Sequence, residues 1–147
     1  MNDNQVEIIL MEDDPNDVEL IMRALRKCNL LNKIVILKDG AEALDYLYAQ
    51  GIHMNNASHA MPKVVLLDLK LPKVNGLEVL RKLKADERTK LLPVVVLTSS
   101  REQQDIENAY KMGANSYVTK PVNFEEFAKA VTSLGMYWLM LNRPPKD

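Results

Sequence analysis

A small set of polar residues stands where apolar runs end. Ile8-Ile9-Leu10-Met11 leads into Glu12-Asp13-Asp14, Val64-Val65-Leu66-Leu67 into Asp68, Val94-Val95-Val96-Leu97 into Thr98-Ser99, and Ser116-Tyr117-Val118-Thr119 into Lys120-Pro121. Two carboxylates ~5 Å apart repel by ~3 kcal/mol at an effective dielectric near 20, a large share of a domain's net stability. A divalent cation cancels that repulsion. The donor set around it is all oxygen and small, which suits Mg²⁺ keeping several waters and awaiting a phosphate oxygen better than it suits an enclosed Ca²⁺ cage. A lysine and a hydroxyl beside the cation supply further donors to a phosphoryl group. Aspartate can itself be the nucleophile, forming an acyl phosphate. Asp14, followed by proline, is read instead as a helix N-cap.

Such side chains meet only if the strands that carry them lie side by side. The strand candidates Val6–Met11, Ile34–Leu37, Val64–Leu67, Val94–Leu97 and Ser116–Thr119 are short, and the runs at Val64 and Val94 do not alternate. Uninterrupted apolar runs mark strands of a parallel sheet covered by helices on both faces. Between them lie amphipathic stretches: one opening at Asp14-Pro15 with Val18, Ile21, Met22 and Leu25 at helical spacing, then Ala41–Tyr48, Gly76–Lys84 and Ile106–Met112, and a fifth opening at Asn123-Phe124-Glu125-Glu126. The expected fold is therefore α/β, a doubly wound five-stranded parallel sheet, (βα)₅, in a single domain. In that architecture ligands sit at the carboxyl ends of the strands, where every one of these polar residues falls.

Composition removes several function classes. The 147 residues are 47% hydrophobic and 27% charged, the profile of a single globular domain rather than a disordered or fibrous chain. A net charge of −1 provides no general attraction for nucleic acid or an anionic membrane. Cys28 is the only cysteine, which rules out an internal disulfide framework and a thiolate zinc site and fits a reducing cytoplasm. Met1 to Gln5 lack a secretory pattern, and the apolar stretch Met136–Leu141 is far short of the ~20 residues that span a bilayer. The long connection Gly51–Pro62 holds His53 and His59, a weak metal signal without carboxylate or thiolate companions, and is read as a solvated loop.

Over Val6 to Tyr137 the sequence resembles a response-regulator receiver domain, the phosphorylatable half of two-component signalling. The matching features are the acidic pair closing Ile8-Ile9-Leu10-Met11-Glu12-Asp13, Asp68 in Val64-Val65-Leu66-Leu67-Asp68-Leu69-Lys70-Leu71-Pro72, Asn75-Gly76, Thr98-Ser99 and Tyr117-Val118-Thr119-Lys120-Pro121. The resemblance implies a flavodoxin-like strand order 2-1-3-4-5. It also implies that Asp68 takes a phosphoryl group from a sensor histidine kinase with Mg²⁺ present. Asp13, Asp68 and the Lys70 backbone carbonyl would hold the metal, Glu12 acting mainly through water. Lys120 would pair with the phosphate, or with Asp68 before phosphorylation. Thr98 would swing toward the phosphate and let Tyr117 rotate inward, with Ser99 in the same switch segment, so that the surface of helix four, strand five and helix five changes shape. A cis Lys120–Pro121 bond is expected on the same ground. Lys70 and Ser100 occupy the two positions that modulate hydrolysis of the acyl phosphate.

The Asp14-Pro15-Asn16-Asp17 start, the long connection and the aromatic-rich tail look most similar to the stand-alone regulators of phytochrome-type histidine kinases. With the chain stopping at Asp147, output is expected through another protein, and beyond its own phosphorylation and dephosphorylation no enzymatic turnover is expected. In the last helix, Phe124, Phe127, Val131, Leu134 and Trp138 read as the buried stripe. Met136, Tyr137, Leu139, Met140 and Leu141 fall outside it, an apolar excess that predicts a homodimer through the helix four, strand five and helix five face and the C-terminal tail. A phosphohydrolase would want a second acid two residues after the nucleophile, where Lys70 stands, and a dinucleotide fold a glycine-rich first turn. The open alternative is a phosphorelay intermediate that passes its phosphoryl group to a histidine phosphotransfer protein.

Overall fold

The computed structural model describes residues 6–29, 34–54 and 62–143. Its strands are β1 (Ile8–Met11), β2 (Ile34–Leu37), β3 (Val64–Leu67), β4 (Val94–Thr98) and β5 (Ser116–Thr119), and the helices α1 (Pro15–Lys27), α2 (Gly40–Met54), α3 (Gly76–Ala85), α4 (Gln103–Lys111) and α5 (Phe124–Gly135) alternate with them. All pairings are parallel and the order is β2-β1-β3-β4-β5, the doubly wound arrangement expected from the sequence. The three interior strands β1, β3 and β4 are buried at every position, whereas the edge strand β5 is half-buried throughout.

Alternation hidden within the apolar runs sorts the strands between two cores. Ile9, Met11, Val65, Leu67, Val94 and Val96 pack with Ala43, Leu47, Val79, Leu80, Leu83 and Ala109 of α2, α3 and α4. Ile8, Leu10, Val64, Leu66, Val95 and Leu97 pack on the other side with Leu20, Ile21 and Leu25 of α1, Phe127 and Val131 of α5, and Leu139 beyond its end. A parallel sheet needs both coverings, because each strand carries apolar side chains to both faces.

Helix starts follow local chemistry. Asp14 accepts hydrogen bonds from the Asn16 and Asp17 amides ahead of Pro15, Asn75 caps α3 through the Leu77 amide, and Asn123 caps α5 through the Glu126 amide. Helix α2 runs to Met54, so Gly51 to Met54, His53 among them, continue the helix rather than begin a loop. His59 lies outside the described residues.

Two expectations are corrected here. After α5 the chain continues as a π-helical turn, Met136–Leu141. Its wider winding keeps Phe127, Val131, Gly135 and Leu139 on one buried stripe, so Leu139 belongs to the core, whereas Phe124 at the helix mouth is 59% exposed. The Lys63 ammonium donates to the Leu139 carbonyl at 3.3 Å, one of the groups that helix ends leave without an internal partner. The second correction is at Lys120–Pro121, which is trans, since the described backbone contains no cis peptide bond. Trans is the intrinsically favoured isomer, and Lys120 is already fixed by its own amide, which donates to the Thr98 carbonyl at 2.7 Å.

At Gly76 the chain passes so close to the segment after β3 that a β-carbon would stand 2.4 Å from the Asp68 carbonyl oxygen and 2.6 Å from the Leu69 α-carbon. Both neighbours are backbone and cannot yield cheaply. Gly76→Ala should therefore cost about 1–3 kcal/mol of stability through overpacking. Urea unfolding of the variant checks this, and an unchanged midpoint would contradict the close approach.

Candidate phosphoryl-transfer site

Strands β1, β3 and β5 each hand a last backbone bond to the residue that follows them. The Glu12 amide donates to the Leu37 carbonyl at 3.0 Å, the Asp68 amide to the Met11 carbonyl at 3.0 Å, and the Lys120 amide to the Thr98 carbonyl at 2.7 Å. The sheet ladder thus continues one residue into the polar cluster, which inherits the rigidity of the sheet.

At the centre is the Lys120 ammonium, 8% exposed, donating to Glu12 Oε1 at 2.5 Å, Asp17 Oδ2 at 2.8 Å and Asp68 Oδ2 at 3.0 Å. The other oxygen of Asp68, Oδ1, accepts from the Thr98 hydroxyl at 2.8 Å and from the Lys70 amide at 3.1 Å. Both Asp68 oxygens are therefore held, and the carboxylate is fixed in orientation. Tyr117 donates its hydroxyl to the Ser100 carbonyl at 3.0 Å, and Ser100 donates to Asp105 on α4 at 2.5 Å. Thr98 already reaches Asp68 in this state, and Tyr117 is already tied to the segment after β4. Ser99 and the Lys70 side chain face solvent.

Burial is the largest single influence on all three buried charges. It pushes the Glu12 carboxyl up to about 7, with the Asp68 charge acting in the same direction against the pull of Lys120. For Lys120 burial opposes the charge, but hydrogen bonds to Asp17 and Glu12 and the charges of Glu12 and Asp68 outweigh it and hold the amine above its usual range. For Asp68 burial also favours the neutral form. The Lys70 amide, Lys120 and Thr98 outweigh it together, so the carboxyl sits below the usual carboxylate range. Asp68 is accordingly an ionised, oriented carboxylate at neutral pH.

Glu12, Asp13 and Asp68 each offer an oxygen, and these oxygens lie within 4.8 Å of one another. Asp13 is exposed and makes no ion pair among the described residues, while Lys120 is shared by three other acids. An all-oxygen set with a surplus of negative charge fits a hard divalent cation. The residues singled out from sequence converge here. Asp17 was missed as a site residue. Its signal was spacing: one helical turn beyond Asp13, it comes back over the strand ends.

Comparison with known proteins places these features. The family model for the response regulator receiver domain matches residues 8–132. The probable methanogenesis regulatory protein FilR2 of Methanothrix harundinacea is 44% identical, across 94% of this chain and 86% of its own length. Response regulator Rcp1 of Synechocystis is 36% identical over 90% of this chain and 88% of its own, and its Mn²⁺-bound crystal structure superposes with a TM-score of 0.83, covering 95% of this chain and 99% of that one. The phosphorylated cyanobacterial phytochrome response regulator RcpA superposes with a TM-score of 0.85 at 36% identity, covering 96% of this chain and 99% of that one.

A bound cation should stabilise the folded state by about 2.7 kcal/mol at a hundredfold excess over its Kd. Thermal unfolding across a Mg²⁺ titration should show Tm rising for the natural chain. For Asp13→Asn, metal-free stability should be unchanged or higher, because a like charge is removed, and the rise should be lost. An equal rise in the variant would remove Asp13 from the ligand set.

Proposed function

Because the chain belongs to the response regulator receiver family, we propose that it accepts a phosphoryl group on Asp68 from the phosphohistidine of a sensor histidine kinase. The observation that carries this reading is the fixed, ionised Asp68 carboxylate between Lys120 and Thr98. An Asp68 oxygen attacks the phosphorus, the new O–P bond forms as the N–P bond breaks, and the electron pair of the broken bond returns to the imidazole. Mg²⁺ held by Glu12, Asp13, Asp68 and the Lys70 carbonyl would supply neutralisation of the phosphoryl oxygens. Lys120 adds a second positive charge from a fixed position, and the Thr98 hydroxyl donates to the oxygens of the transferred group. Hydrolysis reverses the modification when water attacks the acyl phosphate and releases inorganic phosphate.

The phytochrome system named for RcpA supports a phytochrome-type kinase as donor, within the cytoplasm. We also assign homodimerisation to the face of α4, β5 and α5 together with the tail, where Met136, Tyr137, Met140 and Leu141 remain 44–68% exposed despite the burial of Leu139.

Incubation with Mg²⁺ and a small phosphodonor should give one acid-stable, base-labile adduct. Asp68→Asn should take up none, and equal labelling of that variant would dismiss the assignment. For the dimer, sedimentation should show two copies for the full chain and one for a chain ending at Gly135. A monomer in both cases would remove the tail interface.

A further inference from the structure

Lys120 has three N–H groups, and three acids take one each: Glu12 from β1, Asp68 from β3 and Asp17 from α1. Glu12 and Asp68 stand among the candidate cation ligands. Asp17 stands outside that set and outside the phosphorylation motifs, yet its contact at 2.8 Å is shorter than that of Asp68. We propose that Asp17 is a positioning residue for phosphoryl transfer, holding the Lys120 ammonium where the incoming phosphoryl oxygen meets it. This rests on Asp68 being the acceptor.

When Asp68 becomes an acyl phosphate, its negative charge moves outward onto the phosphoryl oxygens. The N–H that Lys120 gave to Asp68 must follow, and the nitrogen pivots on its two remaining bonds. Glu12 is a poor sole pivot, because its second oxygen accepts the Asp14 amide at 3.2 Å and its carboxyl belongs to the candidate cation site. Asp17 is the independent one. It lies in the first turn of α1, fixed by the Asp14 cap and Pro15, on a helix anchored in the core by Leu20, Ile21 and Leu25. A lysine carries four rotatable bonds and no intrinsic aim, so its placement depends on such anchors. Exposed ion pairs contribute little because water replaces them, but here the ammonium end is buried. Asp17 also walls a cleft of about 360 Å³ beside Lys120, with Asn16, Ser99 and Phe124 around it.

The experiment uses the full chain with Mg²⁺ and acetyl phosphate. Asp17→Ala should be labelled about tenfold more slowly, the effect of losing one charge-assisted hydrogen bond. Half-saturation in Mg²⁺ should not change, and Asp17→Glu should restore much of the rate. In a Lys120→Ala background Asp17→Ala should cause no further loss, because its effect runs through that lysine. An equal loss in both backgrounds, or a rate within about twofold of the natural chain, overturns the proposal. Should Lys120→Ala fail to fold, the ¹⁵Nζ signal of Lys120 decides: slow to exchange in the natural chain, it should broaden or vanish in Asp17→Ala, and an unchanged signal overturns the proposal. Failure of the acceptor assignment shows separately, as full labelling of Asp68→Asn.

Discussion

One buried ammonium surrounded by carboxylates organises this molecule. Lys120 meets acids from β1, β3 and α1, so three parts of the chain distant in sequence are tied at a single nitrogen. Breaking up such a cluster by deleting one partner is costlier than its net contribution suggests, because the remaining charges stay buried without compensation. The cluster is still short of positive charge, since three acids share one lysine and Asp13 stands beside them with no ion pair among the described residues. That shortage of positive charge suits the site to a divalent cation.

The interior strands β1, β3 and β4 make the cluster possible by being apolar up to their carboxyl ends. Strands covered on both faces leave no polar side chain until the covering helices turn away, which happens at the carboxyl ends. Backbone bonds from Glu12, Asp68 and Lys120 to neighbouring strands then hold the first polar residues in the lattice of the last apolar ones. Preorganisation of this kind removes the cost of gathering charges at the moment of reaction.

Much of this was legible in the chain because it depends on short-range signals. The runs at Val64 and Val94 announce two-sided burial, and Asp14-Pro15, Asn75 and Asn123 announce helix starts, all found in place. Glu12, Asp68, Thr98 and Lys120 could be placed because each directly follows or closes a strand. Asp17 escaped because its role depends on how α1 is rotated over the sheet, which only packing of Leu20, Ile21 and Leu25 determines. Leu139 escaped for a related reason: ordinary helical periodicity carries it off the buried stripe, and the π-helical turn, closed by long-range packing and the Lys63 contact, brings it back. The Lys120–Pro121 isomer is likewise a local choice that an X-Pro sequence leaves open.

The two oxygens of Asp68 lead to different layers of the fold. Oδ2 is bonded to Lys120, whose other partners are Glu12 and, on α1, Asp17, and whose chain neighbours lead into α5; α1 and α5 lie on one face of the sheet. Oδ1 is bonded to Thr98, and two residues on Ser100 receives Tyr117 at its carbonyl and holds Asp105 of α4 with its hydroxyl, toward the opposite face. A phosphoryl group added to either oxygen would make the two inequivalent, since the carboxylate would become a mixed anhydride and the charge would move to three new oxygens. Lys120 and Thr98 would both have to redirect their donors, so under the proposed modification a single covalent event would shift contacts toward both helical layers. Because packed cores respond by discrete rearrangement rather than gradual deformation, a change of about one hydrogen-bond length at Asp68 can select between two arrangements of a distant surface.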